Sequence, residues 1–251
     1  MTGAATGIEG RVAIVTGTSS GLGRRFAQVL DEAGARLVLA SRRHGEDLDL
    51  AAQLRDAWPV ACDVRVAADR EALVSAAVEH FGQVDILVNN AGVAYSGPAE
   101  EESSEHWQDL IDTNLTGLFA LTQLAGRQML GRGGGVIVNV ASPAAAISLD
   151  RYGLAGYGAT KAAVVALTRE LAAQWGGRGI RVNALAPSWF PTATTGFLQD
   201  PDQVAWICAH TPLGRPPRPD ELDGPLLFLA GDASSYVTGQ TLIVDGGWTC
   251  R

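Results

Sequence analysis

Tyr157 and Lys161 are the two side chains in this sequence whose spacing best suits proton transfer. The 251-residue chain has 19 lysine and arginine residues, and Lys161 is the single lysine among them. Residues four apart share one face of a helix. Lowering a tyrosine pKa from ~10 to ~7 takes roughly 4 kcal/mol, about what a cation ~4 Å away supplies at an effective dielectric of ~20. The pair therefore predicts that Tyr157 acts as an acid/base and that the compact ammonium of Lys161 lowers its pKa. The alternative is an exposed lysine beside a packed tyrosine.

A glycine-rich turn, VTGTSSGLG, follows the first apolar run and opens a helical pattern. Gly17, Gly21 and Gly23 have the spacing GxxxGxG. Glycine permits positive φ angles and close approach of a ligand to the backbone. The helix N-terminus adds free N–H groups and a positive dipole end. The turn predicts a pyrophosphate site for a dinucleotide, although a strand-to-helix turn without a ligand could have the same composition.

The elements that must position these residues alternate along the chain. Seven short runs rich in Val, Ile and Leu are separated by helical patterns, with no repeat or linker. The longest helical pattern covers residues 104–130, with Ser104 as its N-cap. This rhythm predicts one α/β domain over residues 1–251, a Rossmann-type, doubly wound parallel sheet of about seven strands with helices on both faces.

Residues 188–218, here called the flap, break this rhythm. The stretch has five prolines, two tryptophans and no clear periodicity. A long irregular segment in a compact domain is more often functional than idle, so we expect it to cover the substrate. Trp189 and Trp206 could form an apolar lid or simply pack. Tyr152 has no lysine four residues later and could line the substrate pocket, and His210 is a weaker candidate in the flap.

Composition limits the classes of partner. A net charge of −8 argues against nucleic acid and anionic membranes as partners and favours solubility. The first residues show no secretory signal, and no apolar run reaches the ~18 residues of a membrane span. Three widely spaced cysteines suggest reduced thiols, so we expect a cytoplasmic protein. The four histidines have no metal-ligand spacing, and no metal is expected.

Several motifs in the same order as in one family complete the sequence evidence. TGTSSGLG (16–23), NNAG (89–92), DTNLTG (112–117), NVAS (139–142), YGATK (157–161), RVNALAPSWFPT (181–192) and VTGQTLIVDGG (237–247) span nearly the whole chain. Together they resemble the short-chain dehydrogenase/reductase family, in its branch of roughly 250 residues. The resemblance implies catalytic roles for Asn114, Ser142, Tyr157 and Lys161. Tyr157 would exchange the proton, Lys161 would also bind the nicotinamide ribose, Ser142 would orient the substrate oxygen, and Asn114 would distort its helix and hold a relay water.

The sequence departs from the family pattern at two places. Ser142 lies 15 residues before Tyr157, about two more than is usual, and the extra residues should bulge beside the substrate. Ser148 is therefore a second candidate for the catalytic serine. Ser142 is favoured over it because Ser142 lies at the end of a strand. Ser188 replaces the glycine usual after the sixth strand, which leaves the path of the flap open.

The end of the second strand predicts the choice of nicotinamide cofactor. An acidic residue there binds the ribose 2′-hydroxyl of NAD, whereas arginine pairs with the 2′-phosphate of NADP. Ser41, Arg42 and Arg43 occupy this place, which favours NADP(H) over NAD(H), unless Glu46 and Asp47 neutralise the arginines. The resemblance further implies that Asp63 contacts adenine and Thr192 the carboxamide. The expected cofactor-binding set is Gly17, Ser19, Ser20, Gly21, Leu22, Gly23, Ser41, Arg42, Arg43, Asp63, Val64, Asn90, Ala91, Gly92, Tyr157, Lys161, Pro187 and Thr192.

These residues together predict an NADP(H)-dependent oxidoreductase that interconverts a carbonyl and a secondary alcohol of a small molecule. One alternative is an NAD-dependent dehydrogenase of a sugar, polyol or steroid alcohol. Another is a non-catalytic cofactor-binding protein on the same fold. By analogy with the family, we expect a homotetramer or homodimer.

Overall fold

Seven parallel strands form one sheet in the computed structural model, which describes residues 6–148, 150–191 and 200–250. The strand order is β3-β2-β1-β4-β5-β6-β7. Because β1 pairs with both β2 and β4, the order reverses between β1 and β4, where doubly wound sheets open a ligand crevice. The strands are β1 (Val12–Thr16), β2 (Arg36–Ser41), β3 (Ala57–Ala61), β4 (Ile86–Asn89), β5 (Gly135–Val140), β6 (Ile180–Pro187) and β7 (Thr241–Val244).

Helices cover both faces of this sheet, as the sequence predicts. Along β1, Ala13 and Val15 face one hydrophobic core and Ile14 faces the other, because side chains alternate along a strand. Phe26 contributes to the first core and Leu121 to the second. The described helices are α1 (Gly21–Glu32), α2 (His44–Ala51), α3 (Ala67–Phe81), α4 (Ser104–Ile111), α5 (Leu118–Arg132), α6 (Ala155–Trp175), α7 (Pro201–His210) and α8 (Asp223–Ala230).

The helix predicted over residues 104–130 is interrupted. A π-helical turn, Asp112–Gly117, separates α4 from α5. The predicted N-cap is also wrong by one residue, because Ser103 is the cap and accepts a hydrogen bond from the backbone N–H of His106 at 3.1 Å. The spacing of apolar residues indicates one continuous helix because α4 and α5 run in the same direction. It does not indicate the extra residue of a π-turn between them.

The flap is more regular than its composition predicts. Helix α7 lies within it and begins at an Asp200 cap whose side chain accepts from the N–H of Asp202. Proline at the first helical position and an aspartate cap are standard start signals, so the sequence did contain a local indication of this helix. Residues 192–199, which include the predicted carboxamide contact Thr192, lie outside the described part of the chain.

Candidate active site

A cleft of about 680 Å³ opens at the carboxyl ends of the strands, beside the point where the strand order reverses. Ser41 ends β2, Asn90 follows β4, Ala141 follows β5 and Ser188 follows β6, so neighbouring strands deliver their ends to one place. The predicted site residues on its wall are Gly17, Ser19, Ser20, Gly21, Leu22, Ser41, Arg42, Arg43, Asp63, Val64, Asn90, Ala91, Gly92, Tyr157, Lys161 and Pro187.

The glycine turn forms one end of this cleft and has the shape of a phosphate cradle. Gly17 has φ +76° and Gly21 has φ +55°, conformations that other residues rarely adopt. A β-carbon on Gly23 would overlap the carbonyl oxygen of Gly17 and lie 2.6 Å from Nδ2 of Asn90. Gly23 therefore permits close packing and does not line the cleft. Ser20 caps α1, but its side chain accepts no hydrogen bond from the helix backbone, which leaves first-turn N–H groups available to a pyrophosphate.

Asn90 braces this cradle from the neighbouring strand. Its Nδ2 donates to the carbonyl oxygen of Thr16 at 2.9 Å. The hydroxyl oxygen of Thr16 accepts in return from the N–H groups of Asn90 and Ala91, both at 3.0 Å. The NNAG motif therefore joins β1 to β4 and fixes the backbone beneath the cofactor site.

Tyr157 and Lys161 line the other end of the cleft, where Ser142 directly follows the lining residue Ala141. The Ser142 side chain interacts with the hydroxyl of Tyr157, whereas Ser148 is exposed on the loop beyond. The ammonium of Lys161 lies 5.6 Å from the centre of the Tyr157 ring, on the shared face of α6. It donates to the carbonyl oxygen of Val140 at 2.8 Å. Among described residues this is its one hydrogen bond, so two donors remain for groups entering the cleft.

The surroundings of Tyr157 oppose the lowering of its pKa that the spacing from Lys161 predicts. Burial raises the pKa of Tyr157, and the hydrogen bond with Ser142 only partly opposes this. Burial also lowers the pKa of Lys161 to about 8, because only 4% of its surface is exposed. Sequence spacing placed the pair on one face, but it carried no information about desolvation, which disfavours the charged form of both groups.

Asn114 lies in the π-turn, and its side chain binds the loop after β4 instead of lining the cleft. Its Oδ1 accepts from the N–H of Val93 and its Nδ2 donates to the carbonyl of Val93, both at 2.9 Å. The second Nδ2 hydrogen reaches Oγ1 of Thr160 at 3.2 Å. Both amide donors are thus used within the protein, and the π-turn is the helix distortion that the family resemblance implies.

Comparisons with known proteins agree with this geometry. A family model described as enoyl-(acyl carrier protein) reductase matches residues 17–249. D-threitol dehydrogenase of Mycolicibacterium smegmatis is 41% identical over 248 residues, covering 97% of this chain and 95% of that protein. Gluconate 5-dehydrogenase of Gluconobacter oxydans is also 41% identical over 248 residues, with 96% of each chain covered. A crystal structure of gluconate 5-dehydrogenase from Burkholderia cenocepacia with NADP and tartrate is 37% identical, with a TM-score of 0.93 over 98% of each chain.

The chain belongs to the short-chain dehydrogenase/reductase family. Like its named relatives, it is an oxidoreductase that interconverts CH–OH and C=O groups with a nicotinamide cofactor.

Arg43 of this short-chain dehydrogenase/reductase spans from the end of β2 to the glycine turn. Its guanidinium donates to Oγ of Ser19 at 3.0 Å and to Oγ of Ser20 at 2.8 Å. The carboxylate of Glu46 stays 3.9 Å from it, an exposed and weak pair. Among the described residues, this weak ion pair is the one that Arg43 makes at the mouth of the cleft, and Arg42 beside it is exposed.

A charged network that the sequence did not predict surrounds Asp63. Arg65 holds the Asp63 carboxylate at 2.6 Å and reaches Asp109 at 2.7 Å. The phenol of Tyr95 donates to Asp109 at 2.7 Å, and Tyr95 lines the cleft. The bonds from Arg65 lower the pKa of Asp63. Burial raises the pKa of Asp109, but the bonds from Tyr95 and Arg65 together outweigh it, so that this pKa is lowered as well. Asp109 and Tyr95 belong to different elements, so no local spacing could have linked them.

The flap tryptophans meet over the loop that carries Tyr152. The Tyr152 ring lies 4.9 Å from Trp189 and 5.7 Å from Trp206, and its hydroxyl donates to Gln203 of α7 at 3.1 Å. Trp248 joins the group 5.2 Å from Trp206, and His210 lies 4.3 Å from Trp206. We call these five side chains the aromatic cluster. They tie helix α7 to the loop between Ser142 and Tyr157.

The described residues contain no metal-binding cluster and no membrane-spanning helix. No group of three or more His, Cys, Asp or Glu side chains in residues 6–148, 150–191 and 200–250 could hold a metal ion. Over the same ranges, each helix is too short or too polar to cross a lipid bilayer.

Proposed function

We propose that this protein is an NADP(H)-preferring oxidoreductase acting on a secondary hydroxyl of a small polyhydroxylated molecule, such as a polyol or sugar acid. The main support for the NADP(H) preference is that the Arg43 guanidinium donates hydrogen bonds to Ser19 and Ser20 of the glycine turn. In addition, Ser41 occupies the strand end at which an acidic residue would favour NAD. The substrate class is supported by the names of the relatives that match nearly the whole chain.

The proposed mechanism assigns one task to each of four residues. The bound nicotinamide supplies or accepts the hydride. Tyr157 transfers the proton to or from the substrate oxygen, which Ser142 orients through the same hydrogen-bond cluster. Lys161 would hold the cofactor ribose and support the proton path with the two donors that it does not give to Val140. Asn114 holds the loop after β4 at Val93 and opens the π-turn, whose backbone would hold the relay water.

Arg43→Ala should weaken NADPH binding about tenfold and change NADH binding by less than about twofold, because only the 2′-phosphate gains a charge-assisted bond from the guanidinium. Fluorescence titration of both reduced cofactors measures this. Arg178→Ala is the matched control, since Arg178 is exposed after α6 and precedes β6 at the opposite end of the sheet. Equal losses for the two cofactors would contradict the assignment of Arg43.

Trp206→Ala should raise KM for the alcohol about tenfold while leaving the cofactor dissociation constant within about twofold. The reason is that Trp206 contacts Tyr152 and Trp248 and so holds α7 over the substrate side, away from the glycine turn. Losing one well-packed aromatic contact costs about 0.5 to 1.5 kcal/mol. Trp58→Ala, at the sheet edge, is the control. Unchanged KM would show that the flap tryptophans only pack.

A substrate panel distinguishes the proposed function from its rivals. Polyols and sugar acids are offered with NADP⁺ and with NAD⁺, and the corresponding ketones with the reduced forms. Faster turnover with NAD⁺ would favour the NAD-dependent dehydrogenase. Tight cofactor binding without turnover of any compound would favour the non-catalytic protein.

We also propose that the chain assembles as a homotetramer or homodimer through α4 and α5 and through the edge formed by α8 and β7. Two exposed aromatic side chains support these surfaces, Trp107 of α4 at 45% and Phe228 of α8 at 38% exposure. Light scattering gives the mass, and a monomer at micromolar concentration would refute the proposal.

A further inference from the structure

Asp47 is a fully buried carboxylate beside the cofactor cleft, and the proposed mechanism gives it no task. It lies in the first turn of α2, and 0% of its surface is exposed. Burying a carboxylate is costly unless hydrogen bonds satisfy it, so its retention needs an explanation. The sequence suggested only that it might neutralise the arginines of the same loop. The structure shows instead that its two oxygens bind hydroxyl groups.

Both of those hydroxyl groups belong to the cofactor end of the cleft. Oγ1 of Thr18, in the glycine turn, donates to Oδ1 of Asp47 at 2.7 Å. Oγ of Ser41, at the end of β2, donates to Oδ2 at 2.6 Å. A carboxylate accepts hydrogen bonds and does not donate them, so each hydroxyl hydrogen points at Asp47.

This arrangement fixes the polarity of Ser41 toward a ligand. A serine hydroxyl has one hydrogen, and Asp47 takes it. The oxygen of Ser41 already accepts the N–H of Arg43 at 3.1 Å and has one further lone pair. Ser41 also lines the cleft. Toward anything that enters, Ser41 is therefore an acceptor and not a donor.

The two forms of the cofactor respond differently to an acceptor at this place. The ribose 2′-hydroxyl of NAD(H) can donate to Ser41, as it would to an acidic residue at a strand end. The 2′-phosphate of NADP(H) has only acceptor oxygens at neutral pH and gains nothing from that lone pair. Its negative charge is also repelled by the carboxylate behind Ser41.

We propose that Asp47 determines cofactor specificity by acting through Ser41, which it converts into an acceptor for the 2′-hydroxyl of NAD(H). Asp47 thereby preserves NAD(H) binding in a site where Arg42 and Arg43 favour NADP(H), and the enzyme uses both cofactors. This inference rests on the proposed cofactor site. A purely structural Asp47, one that only ties the glycine turn to β2, would support both cofactors equally.

Asp47→Asn tests the proposal through a change in preference. The amide removes the charge, and its Nδ2 can donate to Ser41, which frees the serine hydrogen for a phosphate. We expect the ratio of the NADH to the NADPH dissociation constant, measured by fluorescence titration, to rise about tenfold. Equal weakening of both cofactors, or a fall in the ratio, would overturn the proposal.

Two further variants keep the test decisive if Asp47→Asn does not fold. Ser41→Ala should weaken NADH about fivefold and leave NADPH within about twofold, because Ser41 donates nothing to the phosphate. Loss of NADPH affinity in this variant would overturn the proposal. Thr18→Val removes the other partner of Asp47 from the turn that both cofactors share, so it should affect the binding of both cofactors alike.

The ratio of the NADH to the NADPH dissociation constant for the unmodified protein tests the proposed NADP(H) preference separately, because the Asp47 inference concerns only how that ratio changes.

Discussion

Tyr157→Phe should lower kcat/KM for the alcohol substrate about a thousandfold while changing the cofactor dissociation constant by less than about threefold. General acid–base catalysis by one side chain contributes on this scale, and phenylalanine retains the ring but has no proton to exchange. Steady-state kinetics in both directions, together with cofactor titration, separate the chemical step from binding.

Tyr152→Phe is the matched control for this experiment. Tyr152 lies five residues earlier, and its hydroxyl bonds Gln203 rather than a group in the catalytic cluster. We expect its kcat to stay within about threefold of the unmodified enzyme, because the hydrogen bond to Gln203 lies in the aromatic cluster and not at the reacting group. If Tyr157→Phe retained more than about a tenth of the activity, Tyr157 would not be the proton donor.

Lys161→Met should abolish turnover and yet raise the free energy of unfolding of the cofactor-free protein by about 2 kcal/mol at pH 7. Burial lowers the pKa of Lys161 from 10.5 to about 8. This corresponds to about 3 kcal/mol of unfavourable charge burial while the lysine is protonated. Losing the hydrogen bond to Val140 removes about 1 kcal/mol of that gain. The lysine is thus retained for function at a cost in stability.

The pH dependence of this difference provides its own check. Between pH ~8 and ~10.5 the unfolded chain binds more protons at residue 161 than the folded chain, so the stability of the unmodified protein rises with pH across that window. The methionine variant lacks this contribution. Its advantage should therefore be largest below pH ~8 and vanish by pH ~10.5, as urea unfolding at several pH values would show. An unmodified protein more stable than the variant at pH 7 would contradict the argument.

Lys161→Arg separates charge from shape at the same position. It keeps a cation, but the planar guanidinium must fit where the ammonium now contacts Val140 and lies near Gly92. We expect it to lose most activity, about a hundredfold in kcat/KM, if compactness is what the site requires. Near-full activity would show that charge alone suffices.

The strands and the motifs at their ends were predictable because both depend on neighbours in the chain. The seven apolar runs became seven parallel strands, and the residues that follow β1 to β6 line one cleft. Parallel strands place their carboxyl ends at one edge, so the order of motifs was enough to gather Gly17, Asn90 and Tyr157. The π-turn at Asn114 was missed as a secondary-structure feature because an extra residue in one turn leaves the apolar pattern nearly unchanged.

Patterns local in the chain were enough to predict the fold and the family. How the side chains beside the cleft behave depends on the packing of the folded chain. Burial raises the pKa of Tyr157 and lowers that of Lys161, against the direction that spacing predicted for the tyrosine. The bonds from Thr18 and Ser41 to Asp47 define the polarity of the 2′-position. Desolvation and hydrogen-bond polarity depend on residues that are distant in the chain, and only the folded packing brings those residues together.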